Sequence, residues 1–131
     1  MKIKLLYLSA FLIISFSCTQ TKNPSELITG KWLMEKVYEY NVDVTANHNP
    51  QNNRWIIFND DGTFISGGDP FGKNTGKWEL DDNKSVLFID SNIDDDDSEW
   101  NVKFNGDEMT WTGIGHPRKE NTKLIHTRDI N

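Results

Sequence analysis

The chain holds a single cysteine, Cys18, among 131 residues. One thiol makes no intramolecular disulfide and no multi-cysteine metal cage, so the fold must be held by its core. Positive charge is also scarce. The 14 Lys and Arg stand against 20 Asp and Glu, a formal charge of −6, and the balance argues against nucleic acid or anionic lipid as a partner, since both reward clustered cations. Only three histidines occur, His48, His116 and His126, and none belongs to a nucleophile motif such as G-x-S-x-G. The remaining nucleophiles are Ser and Thr with no base placed beside them, so no catalytic residue is assigned and an enzyme is not expected. Nor does any apolar run reach the roughly 20 residues that span a bilayer.

What is present begins at the N-terminus. Lys2 and Lys4 precede an apolar stretch from Leu5 to Phe16, followed by Ser17 and Cys18. A short basic segment, an apolar core and small residues before a break make a secretory signal peptide. A cysteine directly after that stretch resembles the lipobox of bacterial lipoproteins. That resemblance implies a thiol carrying diacylglycerol and a mature chain that starts at Cys18. Ser15 and Phe16 depart from the commoner lipobox residues, and an ordinary signal peptide with a coincidental cysteine is the alternative. Residues 1–17 are thus read as the signal peptide, 18–25 as a tether and 26–131 as one domain. Removing the leader takes the formal charge to about −8. Attachment to the membrane would then rest on the acyl chains. No acidic residue closely follows Cys18, which points to the periplasmic face of the outer membrane; the cell surface is the alternative.

Beyond a helical turn at 26–29 the pattern is β. Runs rich in β-branched and aromatic residues recur every 10–15 residues between Gly, Asn, Asp and Pro clusters. Eight strands are expected, near 31–40, 54–58, 63–66, 75–80, 85–90, 99–104, 108–112 and 122–127. Trp100, Val102 and Phe104 alternate with Asn101 and Lys103, and Trp78 and Leu80 with Lys77 and Glu79. One apolar and one wet face per strand is the mark of an antiparallel sheet over a core. The expected fold is all-β, an eight-stranded antiparallel up-and-down barrel, which removes exposed edges; a two-sheet sandwich is the alternative.

Loop lengths orient the barrel. Tight turns lie at 59–62, at 81–83 and at 105–107, and Gly62 supplies the positive φ such a turn needs. The other connections, 41–53, 67–74, 91–98 and 113–121, are long. In a meander successive loops alternate between ends, so all four long loops share one end. The chain enters and leaves at the other. Loops on a rigid scaffold are where binding residues concentrate, so the long-loop mouth is the expected site, facing away from the membrane.

Three motifs now carry a resemblance. Gly30-Lys31-Trp32 opens the first strand, Phe58-Asn59-Asp60-Asp61-Gly62-Thr63-Phe64 forms a hairpin, and Gly76-Lys77-Trp78-Glu79-Leu80 follows. In this order they resemble the lipocalin-like domains of bacterial lipoproteins, over about residues 26–128. The resemblance implies structural roles for Gly30, Trp32, Gly62 and Trp78, with Arg128 on the last strand packing over Trp32 to close one end. It also implies binding of a small hydrophobic molecule. The chain lacks a T-D-Y motif in its sixth-to-seventh turn and a helix after the last strand, both found in lipocalins proper.

Ligand contacts are sought at Tyr38 and Tyr40, near the mouth end of the first strand, at Phe71 in a long loop, and at Trp111 and His126. Each has a structural alternative, His126 as a hydrogen-bonded core histidine. Asp90-x-Asn92-x-Asp94 imitates the start of a calcium loop, but Asp95 stands where glycine is needed and Asn101 where a glutamate is. The acidic run 94–97 is read as a solvated rim, and no metal or cofactor is assigned. His48 and His116 are read as exposed loop histidines. An eight-stranded barrel is either filled by side chains or holds one small ligand. A lipid-anchored monomeric carrier is therefore weighed against a protein- or glycan-interaction module, or an inhibitor, working through its loops over a filled core.

Overall fold

The computed structural model describes residues 20–131; the leader and the lipidation candidate Cys18 lie outside the described residues. A helical turn α1 (Pro24–Leu27) leads into strand β1 (Gly30–Glu39). There follow β2 (Val42–Asp43), a second turn α2 (Thr45–His48), β3 (Trp55–Phe58), β4 (Thr63–Gly67), β5 (Asn74–Asp81), β6 (Val86–Ser91), β7 (Ser98–Asn105), β8 (Glu108–Ile114) and β9 (Thr122–Arg128). Each strand from β3 onward pairs antiparallel with the next, β1 pairs with β3, and β9 returns to β1 from Trp32↔Arg128 to Glu39↔Thr122. The result is a closed eight-stranded up-and-down barrel, with β2 a short flap hydrogen-bonded to β1 outside the ring.

The eight expected strands are all present, with ends shifted by a few residues at most. The N-terminal turn starts earlier than expected, at Pro24. Pro24 occupies a first-turn position, where its missing N–H costs nothing, while the Asn23 N–H donates to the Glu26 carboxylate at 3.1 Å. The flap β2 and the turn α2 fall inside the first long loop. There Tyr40 and Asn41 both take positive φ, 50° and 63°, which reverses the chain in two residues and lets Val42 and Asp43 pair back on Glu39 and Tyr38.

The three tight turns lie at one end, and α1 lies with them. Trp32 is fully buried there, and its indole N–H donates to the Ile28 carbonyl at 2.7 Å. The Arg128 guanidinium sits 4.2 Å from the Trp32 ring centroid and donates to the carbonyls of Thr29, at 2.9 Å, and of Leu27. A delocalised cation over an aromatic face is attractive by about 0.5–2 kcal/mol. Here it also satisfies the Leu27 carbonyl, which the end of α1 leaves without an intrahelical partner, and the Thr29 carbonyl just beyond. Ile28, Phe58, Leu80, Leu87, Val102 and Met109 complete the core around this pair. That end of the barrel is solid.

One irregularity decides what faces inward nearer the mouth. The β1–β9 register slips between Met34 and Lys36, a bulge that inverts the inside–outside phase of the rest of the strand. Trp32 and Met34 point in; past the bulge Val37 is buried and Glu39 lines the mouth, which turns Tyr38 outward.

Arg128→Ala should lower unfolding free energy by about 2–4 kcal/mol, as it removes the stacked cation and two charge-assisted hydrogen bonds at once. Arg128→Lys should recover only a minor part, because an ammonium cannot both stack and fork to two carbonyls. Urea melts of the three proteins measure both effects.

Candidate functional site

Above the solid end the barrel is open. A cavity of about 690 Å³ extends from the middle of the barrel to the long-loop mouth. Strand alternation builds it in two tiers. The lower tier is apolar, with Met34, Ile56, Phe64, Ile89, Trp100, Trp111 and Leu124 as walls and floor. The upper tier is polar, with Arg54, Ser66, Asn74, Ser98 and Thr122 on the inner face near the rim. Each upper residue stands two places mouthward of an inward residue on its own strand, as the period of two requires.

The aromatic floor is continuous. The ring centroid of Trp111 lies 4.6 Å from that of His126, 5.5 Å from Trp100 and 5.9 Å from Phe58. Trp100 anchors its indole N–H on the Ser98 hydroxyl at 2.9 Å. Trp111 Nε1 and His126 Nδ1 are buried and have no hydrogen-bond partner among the described residues. Burial, with the nearby Arg54 charge as a second cause, pushes His126 down to about 3, so its imidazole is neutral at pH 7.

Arg54 directly precedes β3 and lines the cavity, in step with the alternation of Ile56 and Phe58. Its guanidinium donates to the His48 carbonyl at 3.0 Å and lies 4.7 Å from the Phe71 ring centroid. Among the described residues no carboxylate lies within 4.0 Å of it. Burial lowers its pKa from the ordinary arginine value, opposed by the charge of Asp96. The backbone that aims it is set by Asn49, a buried polar side chain. Asn49 donates to the Met34 carbonyl at 2.9 Å and accepts from the N–H groups of Asn53 and Arg54. Gly113 pins the fourth long loop in a similar way, because the Lys119 carbonyl occupies the space that a Cβ there would need.

Of the residues singled out in the sequence, Trp111 and His126 form part of the floor and wall, and Phe71 lies at the rim, 61% exposed. Tyr38 and Tyr40 do not line the cavity. The bulge turns Tyr38 outward beneath Lys123, whose ammonium is 4.7 Å from its ring, and Tyr40 sits 70% exposed in the turn before β2. Arg54, Trp100 and Leu124 join the site without having been singled out as ligand contacts. The alternation Arg54, Ile56, Phe58 was the available signal for Arg54. His48 pairs with Glu39 at 3.0 Å, and the Nδ1 of His116 accepts from the Arg118 N–H at 3.2 Å. The acidic loop is tied to the neighbouring strand ends, with Asp96 accepting from the Asn74 amide and Asp97 from the Ser91 N–H. Among the described residues no three His, Cys, Asp or Glu groups converge as a metal site.

A buried neutral histidine makes stability depend on pH. Its folded pKa of about 3 lies below the unfolded value of 6.5, so the unfolded chain binds the extra proton between those values. Stability should be full above pH 6.5 and fall as pH drops toward 3, by up to about 1.4 kcal/mol per unit. His126→Phe should flatten the slope between pH 6.5 and 4.5 in urea melts.

No protein-family model matches the chain, and no curated protein matches it. Among solved structures it is similar to a DUF4847 family protein from Bacteroides vulgatus, with a TM-score of 0.55 and 15% identity over 79% of this chain and 95% of that one. At this level of identity the likeness concerns the fold alone.

Proposed function

We propose that the chain is a lipid-anchored, lipocalin-like binding protein that takes a small hydrophobic molecule into the open end of its barrel. The observation that carries this reading is the cavity of about 690 Å³ with an aromatic floor. That volume lies within the range of about 300–1,000 Å³ common for small-molecule sites, which are mostly apolar with a few placed polar groups. The solid end limits the depth, so a compact molecule suits the site better than a long extended acyl chain. The chain enters the barrel at the solid end through α1. An anchor at Cys18 would thus leave the mouth turned from the membrane, in the periplasm on the present reading.

A second reading has support of its own. Tyr40, Val42, Phe71 and Ile93 are large apolar residues 70%, 62%, 61% and 48% exposed on the mouth loops. They would serve an interaction module or an inhibitor. Neither reading requires chemistry at the site.

The first reading is tested by native mass spectrometry of the domain purified from the producing cell, before and after denaturing extraction. A releasable extra mass of small-molecule size is expected. Ser66→Phe, which places a ring in the cavity, should abolish that mass and change unfolding free energy by less than about 1 kcal/mol, since the ring fills open space and compresses no packed core. Loss of the extra mass in a rim variant such as Ile93→Asp, with retention in Ser66→Phe, would instead favour the loop surface.

A further inference from the structure

Arg54 is the feature of the cavity that an apolar cargo leaves unexplained. An arginine inside a barrel loses hydration, and such a charge is ordinarily matched by a carboxylate or retained for a ligand. Here none of the described carboxylates reaches it. Asp96, the acid whose charge acts on it, keeps its side chain on the Asn74 amide at 3.1 Å. Glu39, also in the cavity wall, is engaged by His48 at 3.0 Å. A guanidinium carries five N–H donors, and Arg54 spends one of them on the His48 carbonyl. Phe71 covers it at 4.7 Å. Stacking on a ring uses the guanidinium plane and leaves its edge, where the donors lie, for a planar acceptor.

The tiers around it add a direction. Beneath Arg54 the walls are Ile56, Trp100, Trp111 and Leu124, while beside it at the rim stand Ser66, Asn74, Ser98 and Thr122. A molecule with an apolar body and one polar end would fit with the body on the aromatic floor and the polar end in the collar. A neutral polar end would leave the Arg54 charge unmatched, whereas a carboxylate would match it in charge and in fork geometry. Asp94, Asp95 and Asp96 also border the cavity and disfavour an anion at the outer rim. The other cations of the lining stand there: the exposed Arg118, and Lys119, whose ammonium donates to the Asp97 carbonyl at 3.1 Å. Arg54, half-buried on the stripe of Ile56 and Phe58, is the cation next to the apolar walls.

Resting on the carrier reading above, we infer that the cargo is an amphipathic monocarboxylate, its carboxylate held by Arg54 in the polar collar and its apolar part on the Trp100–Trp111 floor. Phe71 and the Asn49 clamp position that guanidinium through stacking and backbone hydrogen bonds respectively.

The test uses the domain stripped of any cargo and a matched pair of probes, decanoate and decanol, titrated by calorimetry with tryptophan fluorescence as a second signal. Wild type should bind decanoate about tenfold or more tightly than decanol, the order expected when a hydrogen bond to a charged group replaces a neutral one. Arg54→Gln should remove that preference and leave decanol affinity within about twofold, which also shows that the variant is folded. Arg54→Lys should keep part of the preference. Equal affinity of wild type for the two probes, or an undiminished preference in Arg54→Gln, would overturn the assignment of Arg54 while leaving the apolar cavity reading intact. Failure of both probes to bind wild type would overturn the cavity reading, and this inference with it. If Arg54→Gln does not fold, Phe71→Ala and the same probes decide: loss of the stacking partner should weaken decanoate selectively, and an unchanged ratio would contradict the inference.

Discussion

The structure depends on one contact, the Arg128 guanidinium lying over Trp32. It joins the last strand to the first at the line where the barrel closes, and it ties α1 to both. Without a disulfide, a barrel of short strands gains its closure from that seam and from the apolar plug beneath it. A cation is a costly group to bring so close to a core, and the cost is offset because every element it touches offers something: a ring face from Trp32 and carbonyl oxygens from Thr29 and Leu27. Ile28, brought in by the same turn, is fully buried. The end from which the N-terminus departs is therefore the end that cannot open.

Sealing one end frees the other. Large side chains are concentrated low in the barrel, where Trp32, Phe58, Leu80, Leu87 and Met109 fill the section. Higher up, Ser66, Asn74, Ser98, Thr122 and Gly113 are too small to meet across the lumen, and Arg54 and Glu39 are the larger side chains at that level. An eight-stranded barrel has just enough width for either outcome, and this sequence uses both in one barrel, filled below and open above. The polar collar then follows from solvation. Residues close to the mouth reach water, so hydroxyls and amides are tolerated there, while the middle tier is aromatic because it must stay dry.

Much of the fold was legible because period-two alternation and loop lengths are local properties. Trp100–Val102–Phe104 announces its inner face without help, and Gly62 or Gly106 marks a turn by the backbone it permits; their φ values are 84° and 59°. The orientation of the mouth followed from parity alone. The site was only partly legible. Trp111 and His126 share a face with core residues, and both line the cavity. Tyr38 was expected near the ligand because it lies near the mouth end of the first strand; the bulge after Met34 shifts the inside–outside phase there and turns it outward. Nothing in the local sequence announces the bulge. It is held from a distance, by Asn49 donating to the Met34 carbonyl fifteen residues earlier in the chain. Arg54 was hidden for a related reason: at the edge of a strand it reads as a solvent-facing charge until the barrel closes around it. The filling of the lumen was beyond reach as well, since it depends on which side chains meet across the barrel, a property of register between distant strands.

The central claim is that ligands enter the barrel and rest on the tryptophan floor. The measurement that tests it most directly is intermolecular nuclear Overhauser contacts between bound decanol and the isotope-labelled domain. Contacts from the alkyl chain to the ring protons of Trp100 and Trp111 and the methyls of Leu124 and Ile56 are the result this account predicts. Contacts confined to Tyr40, Val42, Phe71 and Ile93 would contradict it, and would make the mouth loops, with no use of the lumen, the binding surface.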